Sequence, residues 1–381
     1  MNFALLGADE ESLQLAAAAV AAGHSLVWQG DLEPARAEPP EWLAPTDDAE
    51  QWEDLLIADA AEAIIIGRGT RFEELRIRQL QELARLGRPM LVTFPLFDSV
   101  LTYFEVDMSR TEGKSILQHY NPLRWASTLR DAPTSPTTGH PQYGAVEQIA
   151  ATRWLANRSR AEVLRHFARD VDLLGQVAGK LNRIGAHATA GATADYSALS
   201  VQLLGSTERP VRWSVEPPED VEGLALTFIC ERGRETLRFD AEGRLVNGAG
   251  EPAGAAIARF VADIEAGADA ASTWPDALHA MELTDSIEIS LRRGRMIDVH
   301  DQQLTEQLAF KGTMAAAGCG LLMLLVPATL LAGWIAGLVG IPIAEYWPHV
   351  LLLVLTLFLG VQFLPKLIYD GPGKTDGSGK H

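Results

Sequence analysis

The sequence predicts an α/β chain in three parts: a doubly wound parallel sheet, a second α/β domain with an open and mostly antiparallel sheet, and two transmembrane helices. Three observations lead there. Apolar strand runs alternate with helical runs through the first third of the chain. Strand runs separated only by turns follow. Two long, almost uncharged apolar runs lie behind them.

In the first part, Phe3-Ala-Leu-Leu-Gly7 is a short apolar strand, Glu11–Gly23 an Ala-rich helix closed by glycine, and Ser25–Trp28 a second strand. Residues 33–46, rich in Pro and Glu, read as a loop, and Asp47–Ala58 as an amphipathic helix carrying Trp52, Leu55 and Leu56. Ala63-Ile-Ile-Ile66 is apolar on both faces, as a strand covered by helices on each side requires. Phe72–Leu86 is a helix with an outer face of Glu and Arg, ending at Gly87, and Pro89–Thr93 and Ser115–His119 are the fourth and fifth strands. Strand–helix units of this length are the right-handed crossovers of a doubly wound sheet.

A stretch rich in Pro, Ser, Thr and Gly, 132–144, marks a junction. Beyond it Ala145–Leu155 and Ser159–Ala178 read as helices. Arg183–Ala190, Ala198–Leu204, Val211–Val215, Leu224–Cys230 and Thr236–Phe239 read as strands, and Ala255–Ala266 and Trp274–Arg293 as closing helices. Strands joined by turns without intervening helices predict an antiparallel sheet. The expected domains are therefore 1–131, 132–310, a helical hairpin at 311–370 and a disordered tail at 371–381.

Met314–Ile341 contains no formal charge, and Tyr346–Ile368 is broken only by His349, Gln362 and Lys366. About 20 helical residues cross a hydrocarbon core, so both runs suffice, with Pro342–Glu345 as the turn between them. Arg292, Arg293, Arg295 and Lys311 precede the first run, and Lys366 and Lys374 flank the end of the second, whereas the turn carries Glu345 and no Lys or Arg. The positive-inside rule then places the body in the cytoplasm at an inner or plasma membrane. The N-terminus reaches Asp9, Glu10 and Glu11 without a basic region or a long apolar run, unlike a signal peptide. Cys230 and Cys319, the second inside a span, give no disulfide framework. The net charge of −18 and a pI near 4.9 argue against nucleic acid, whose phosphates need Lys and Arg. They also argue against lying flat on anionic lipid. Gly371-Pro-Gly-Lys-Thr lacks the first glycine, strand and helix of a phosphate loop and is a chance match.

Four stretches carry a resemblance. They are the βαβ unit Phe3–Asp31, the run from Ala63-Ile-Ile-Ile66 to Pro89-Met-Leu-Val-Thr-Phe-Pro95, Arg169-Asp-Val-Asp-Leu-Leu174, and Leu278 through Ser290-Leu-Arg-Arg-Gly-Arg295. In order and spacing, over roughly residues 1–300, they resemble the glucose–fructose oxidoreductase, inositol dehydrogenase and MocA (Gfo/Idh/MocA) family. The resemblance implies a Rossmann-like domain, a domain whose open sheet lines the substrate site, NAD(P) as coenzyme, sugar or polyol substrates, and self-association through the open sheet. It assigns cofactor contacts to Gly7, Ala8, Asp9, Asp31, Arg68 and Pro95.

The departures fall at the chemistry. Where a dinucleotide fingerprint wants Gly-x-Gly-x-x-Gly, the chain reads Gly7-Ala8-Asp9-Glu10-Glu11-Ser12. Asp9 stands where close approach allows no side chain, although acids also suit a first helical turn. Phe94 aligns with the family's lysine and lacks its amine. Arg169 aligns with the histidine and Arg165 with the acid of Asp-x-x-x-His, flanked by Asp170 and Asp172. An alternative registration puts Ala151 in the histidine's place. Arginine is protonated throughout the working range and is a poor base. Arg169 and Asp172 are the polar groups left for catalysis, with His119 and His166 as displaced bases or ordinary structural histidines. Asn121 and Arg124, after the fifth strand, with Arg68 and Arg169, read either as a binding set for a carboxylate or phosphate or as salt-bridge partners. Ser12 and Ser25 lack a base neighbour, and no histidine pair has metal-ligand spacing.

Three functions are therefore expected. The first is a membrane-anchored, cytoplasm-facing relative of the family that has lost catalysis and serves as a binding or scaffold protein. The second is an active NAD(P)-dependent oxidoreductase with a rearranged site. The third is a body that regulates a membrane-protein partner bound by the spans.

Overall fold

The structure, a computed structural model, describes residues 1–31, 49–57, 61–68, 73–125, 142–188, 195–205, 207, 209–218, 220–246, 248, 251–267 and 272–299. All fall in the first of two compact units, 1–301 and 302–381. The expected hairpin at 311–370 and the tail lie outside the described residues, as do the loop 33–46 and most of the junction 132–144. Among the described residues no helix is long and apolar enough to cross a membrane.

The first sheet is built from β1 (Asn2–Leu6), β2 (Ser25–Gly30), β3 (Ala63–Ile66), β4 (Met90–Thr93) and β5 (Leu117–Tyr120). All are parallel, in the order β2-β1-β3-β4-β5. The helices between them are α1 (Glu10–Ala21), α2 (Glu73–Arg85) and α3 (Val100–Gly113), with a 3₁₀ turn at Ala49–Leu56 where the sequence predicts an amphipathic helix. β3 and β4 are buried at every position, as strands covered on both faces must be. The chain leaves β1 toward β2 on one side and returns to β3 on the other. The crevice at that reversal, outside the carboxyl ends of β1 and β3, is where such sheets bind ligands.

The second sheet has seven strands in the order β11-β10-β6-β9-β8-β7-β12. They are β6 (Val146–Trp154), β7 (Leu181–His187), β8 (Ser200–Gly205), β9 (Val211–Glu216), β10 (Gly223–Cys230), β11 (Gly233–Phe239) and β12 (Ile297–Asp298). Only the β6–β9 pair is parallel. β6 corrects the helix expected over Ala145–Leu155. Its Ala, Glu and Gln suit a helix, but Val146, Ile149, Ala151 and Arg153 are buried on one face, and β10 and β9 bind it on both edges. Tertiary pairing outweighs local propensity here.

Three helices complete the unit: α4 (Arg160–Ala178), α5 (Pro252–Ala266) and α6 (Trp274–Arg293). α5 returns to the first sheet, where Ile257 and Phe260 pack with Phe3, Leu5 and Leu13. Trp274 at the start of α6 stacks on Tyr103 of α3, ring centres 4.9 Å apart. α4 is seated on the second sheet by a buried charge. Arg153 of β6 donates to Asp170 from Nε and Nη2, and Trp213 Nε1 of β9 donates to the same carboxylate at 2.8 Å. Phe167 meets the Trp213 ring edge-on at 5.0 Å. Removing one partner of a buried pair strands the other, at about 3–5 kcal/mol. Asp170→Ala is therefore expected to destabilise the first unit by that amount in denaturant titration, and Arg153→Met combined with Asp170→Leu to recover much of it.

Candidate functional site

β1 ends at Leu6, and the chain turns through Gly7 at φ 82°. A side chain there is excluded by space as well as by backbone. Its Cβ would lie 2.5 Å from Arg76 Nη2 and 2.7 Å from the Gly67 carbonyl oxygen. Ala8 is half-buried against the apolar layer beneath α1. Asp9 then caps α1, with one carboxylate oxygen accepting from the Ser12 amide at 2.7 Å while Ser12 Oγ accepts from the Asp9 amide at 3.0 Å. The other oxygen accepts from the Arg68 amide at 2.9 Å and from Thr93 Oγ1 at 2.7 Å. One side chain thus ties the N-terminus of α1 to the carboxyl ends of β3 and β4. A helix N-terminus at this place in a doubly wound sheet favours an anion, and here the anion is internal.

Below it, Asp31 at the end of β2 pairs with Arg76 of α2, whose other edge donates to Gln79 Oε1 at 3.0 Å. Arg76 is 2% exposed, and burial lowers its pKa to about 10 against the opposing pull of Asp31 and Asp9. The acid that the resemblance assigns to the coenzyme is engaged by this arginine. Nothing in the sequence singled out Arg76, which stands among the Glu and Arg residues of a helix read as solvent-facing.

A cavity of about 360 Å³ lies beyond Asp9, lined among others by Arg68, Thr93, Pro95, Arg165 and Arg169. Arg169 binds Glu11 through Nη2 at 2.6 Å and donates from Nε to the Phe94 carbonyl at 2.9 Å. Arg68 donates from Nη2 to the Pro95 carbonyl at 3.0 Å. The Phe94–Pro95 bond is cis. Phe94 itself is buried, its ring edge-on to Tyr103 and His119, so the residue aligned with the family's lysine faces the core. Burial pushes the Glu11 carboxyl up to about 7, with Arg169 opposing and Asp9 assisting. Burial also holds His166 below the usual imidazole value, although Glu162 lies 3.2 Å away.

Asp172, Asn121 and Arg124 do not line this cavity. They form a separate buried network in which Asp172 accepts from Asn121 Nδ2 at 2.8 Å and Arg124 Nη1 at 2.7 Å and lies 3.1 Å from His119 Nε2. His119 Nδ1 is held 2.9 Å from the Thr273 carbonyl, and Arg124 also pairs with Asp276 at 2.9 Å. Burial would raise the Asp172 pKa, but His119 and Arg124 outweigh it and hold it at about 2. A carboxylate so stabilised does not take a proton near neutrality. The donors of Asn121 and Arg124 are engaged within the protein. Gly7, Asp9, Arg68, Pro95 and Arg169 therefore converge on the crevice, while Asp172, Asn121 and Arg124 join α4 to β5 and α6. Among the described residues no group of three His, Cys, Asp or Glu is placed to hold a metal.

The described fold has close counterparts among solved structures. The chain superposes on a protein assigned as a myo-inositol dehydrogenase from Sinorhizobium meliloti 1021, with TM-score 0.61, 16% identity and coverage of 79% of this chain and 100% of that one. It superposes equally on the WlbA dehydrogenase from Bordetella pertussis, solved with NADH and UDP-GlcNAcA, at TM-score 0.60 and 16% identity over 78% and 98% of the two chains. A myo-inositol dehydrogenase from Corynebacterium glutamicum gives TM-score 0.58 and 15% identity over 79% and 99%. The fold is that of these dehydrogenases. No family model matches the sequence, and no curated protein matches it. At this identity the likeness establishes architecture: a Rossmann-like sheet followed by a mixed open sheet.

The Glu11 environment makes a signed prediction. Because its folded-state pKa lies near 7 against an ordinary value of 4.5, its contribution is fully present below about pH 4.5 and is lost as pH rises through 7. Glu11→Gln is expected to be more stable than the parent at pH 8, on the order of 1–3 kcal/mol, and to lose that advantage at pH 5. Paired melting curves at the two pH values measure it.

Proposed function

We propose that this chain is a membrane-anchored relative of the Gfo/Idh/MocA oxidoreductases, its body in the cytoplasm, whose coenzyme crevice is filled by its own side chains and which acts by binding or scaffolding. The observation that carries this reading is the Asp9 carboxylate, held by donors from α1, β3 and β4 where a pyrophosphate would meet the helix. A second negative charge about 4 Å from it costs about 4 kcal/mol at an effective dielectric near 20, roughly a thousandfold in affinity. Arg76 adds a steric obstacle, because its guanidinium already packs on Gly7 and holds Asp31. These residues do not fit a dinucleotide. Catalysis lacks its groups too, since Phe94 is in the core and Arg169 is tied to Glu11.

The anchor rests on the two apolar runs of the sequence and their charge flanks. A membrane-protein partner, and self-association through the open second sheet, belong to the same reading. An active NAD(P)-dependent enzyme acting on a sugar or polyol would require Asp9 and Arg76 to withdraw from the crevice. Titration of the full-length chain in mild detergent with NADH and NADPH, followed by nicotinamide fluorescence, is expected to show no saturable binding below about 1 mM. Saturation below that, or reduction of NAD⁺ or NADP⁺ with a polyol by the purified chain, overturns the proposal.

A further inference from the structure

The cavity beyond Asp9 is set apart by its cations. Arg165 and Arg169 lie one helical turn apart on α4, so both reach the same side, and Arg68 faces them from the end of β3. The three guanidinium groups repel one another. After burial, Arg165 is the largest influence lowering the Arg68 pKa, and Arg169 adds to it. Arg165 is paired with Glu162 at 3.0 Å, but its Nε has no hydrogen-bond partner among the described residues.

The acids around the cavity are engaged elsewhere. Asp9 is saturated by its three donors. Glu222 accepts from the Ala156 amide at 2.6 Å, and Glu242 pairs with Arg244 at 3.0 Å. Glu10 is exposed at the rim. Among the acids that line the cavity, Glu11 competes for one of its arginines, binding Arg169 at 2.6 Å.

We propose that this cavity binds a small hydroxylated monocarboxylate, its carboxylate held by Arg165 and Arg169 and its hydroxyls by the polar wall that includes Thr93 and Gln14. The inference rests on the binding-protein reading of the cleft and names its ligand class. A guanidinium fork matches a carboxylate in two parallel hydrogen bonds. A dianion such as sulfate meets Asp9 and Glu10 with twice the repulsion, whereas a single negative charge replaces that of Glu11 on Arg169 without adding to the total. The groups facing Glu11 are Asp9 and Glu10 on its own helix, Arg68 at the end of β3, Tyr120 at the end of β5, and Arg169 on α4. Protonation of Glu11 near pH 7 releases Arg169, so binding strengthens as pH falls from 8 to 6.

Calorimetric titration of the full-length chain in mild detergent tests this with D-gluconate, its neutral counterpart sorbitol, and inorganic sulfate, a dianion at both pH values. Gluconate is expected to saturate below about 1 mM at pH 6 and several-fold more weakly at pH 8. Arg165→Gln and Arg169→Gln should each weaken it about tenfold or more. Glu11→Gln should bind at pH 8 as tightly as the parent does at pH 6. The ion pair of Arg165 among the described residues is with Glu162 of its own helix, so its variant separates ligand loss from misfolding, and unchanged melting confirms the fold. Sorbitol binding equal to gluconate, tighter binding of sulfate, or no gluconate saturation at either pH overturns the inference. The NADH titration distinguishes the two failures: coenzyme binding overturns the binding-protein reading, whereas absence of both coenzyme and gluconate binding removes only the ligand class.

Discussion

Three charged residues within one turn of α4 hold the described unit together. Successive side chains on a helix point about 100° apart, so Arg169, Asp170 and Asp172 leave α4 in three directions. Arg169 reaches Glu11 of α1 and the Phe94 carbonyl at the end of β4. Asp170 reaches Arg153 and Trp213 in the second sheet. Asp172 reaches Asn121 and Arg124 after β5, beside His119. Each direction carries a charge out of water, which is unfavourable unless a partner is fixed in place. The partners come from both sheets, and the helix can satisfy all of them in only one position. The relation between the sheets is thereby set by charge geometry as well as by apolar packing.

On the proposed reading, that constraint lets the crevice persist without a bound coenzyme. In a dinucleotide-binding sheet the bound phosphates help to neutralise the positive helix end and to bridge the strand ends. Here Asp9 caps the helix and binds β3 and β4, and Arg76 bridges toward β2 through Asp31. The substitutions act together. Asp9 supplies the negative charge beneath the helix, and Arg76 fills the space over Gly7 with a positive one, so neither is a buried charge without a counterpart.

The architecture was legible wherever the hydrophobic pattern was strong. Ala63–Ile66 and Trp274–Arg293 have the boundaries expected of them, because a four-residue apolar run and a long periodic helix each admit one reading. β6 was not legible, since the alternation of Val146, Ile149 and Ala151 is thin beneath Ala, Glu and Gln and becomes meaningful only with β9 and β10 on its edges. α3 carried no clear signal either, its apolar residues being interrupted by Glu105, Asp107 and Arg110. At the site, Asp9 and Arg169 could be found because they break a known spacing. Arg76 could not: its role depends on the end of β1 and on Asp31, 45 residues away. Asp172 enters the sequence reading through the resemblance and Arg124 through its place after a strand end, and the structure pairs them with each other. Which charges pair internally is a three-dimensional property.

Arg169 brings these threads together. At the place where the resemblance puts a histidine, an arginine forfeits proton transfer, because it does not release its proton in the accessible pH range. In exchange it gains a fixed fork that can hold a carboxylate without titrating. In this chain the fork holds Glu11, a carboxylate that burial renders reluctant to ionise. A pair in which one member is permanently charged and the other sits close to neutrality can exchange its anion: losing the Glu11 charge frees Arg169 at modest cost. On the proposed reading, the arginine that stands where the resemblance puts a base serves as an anion receptor, with Glu11 as the internal competitor whose protonation opens it.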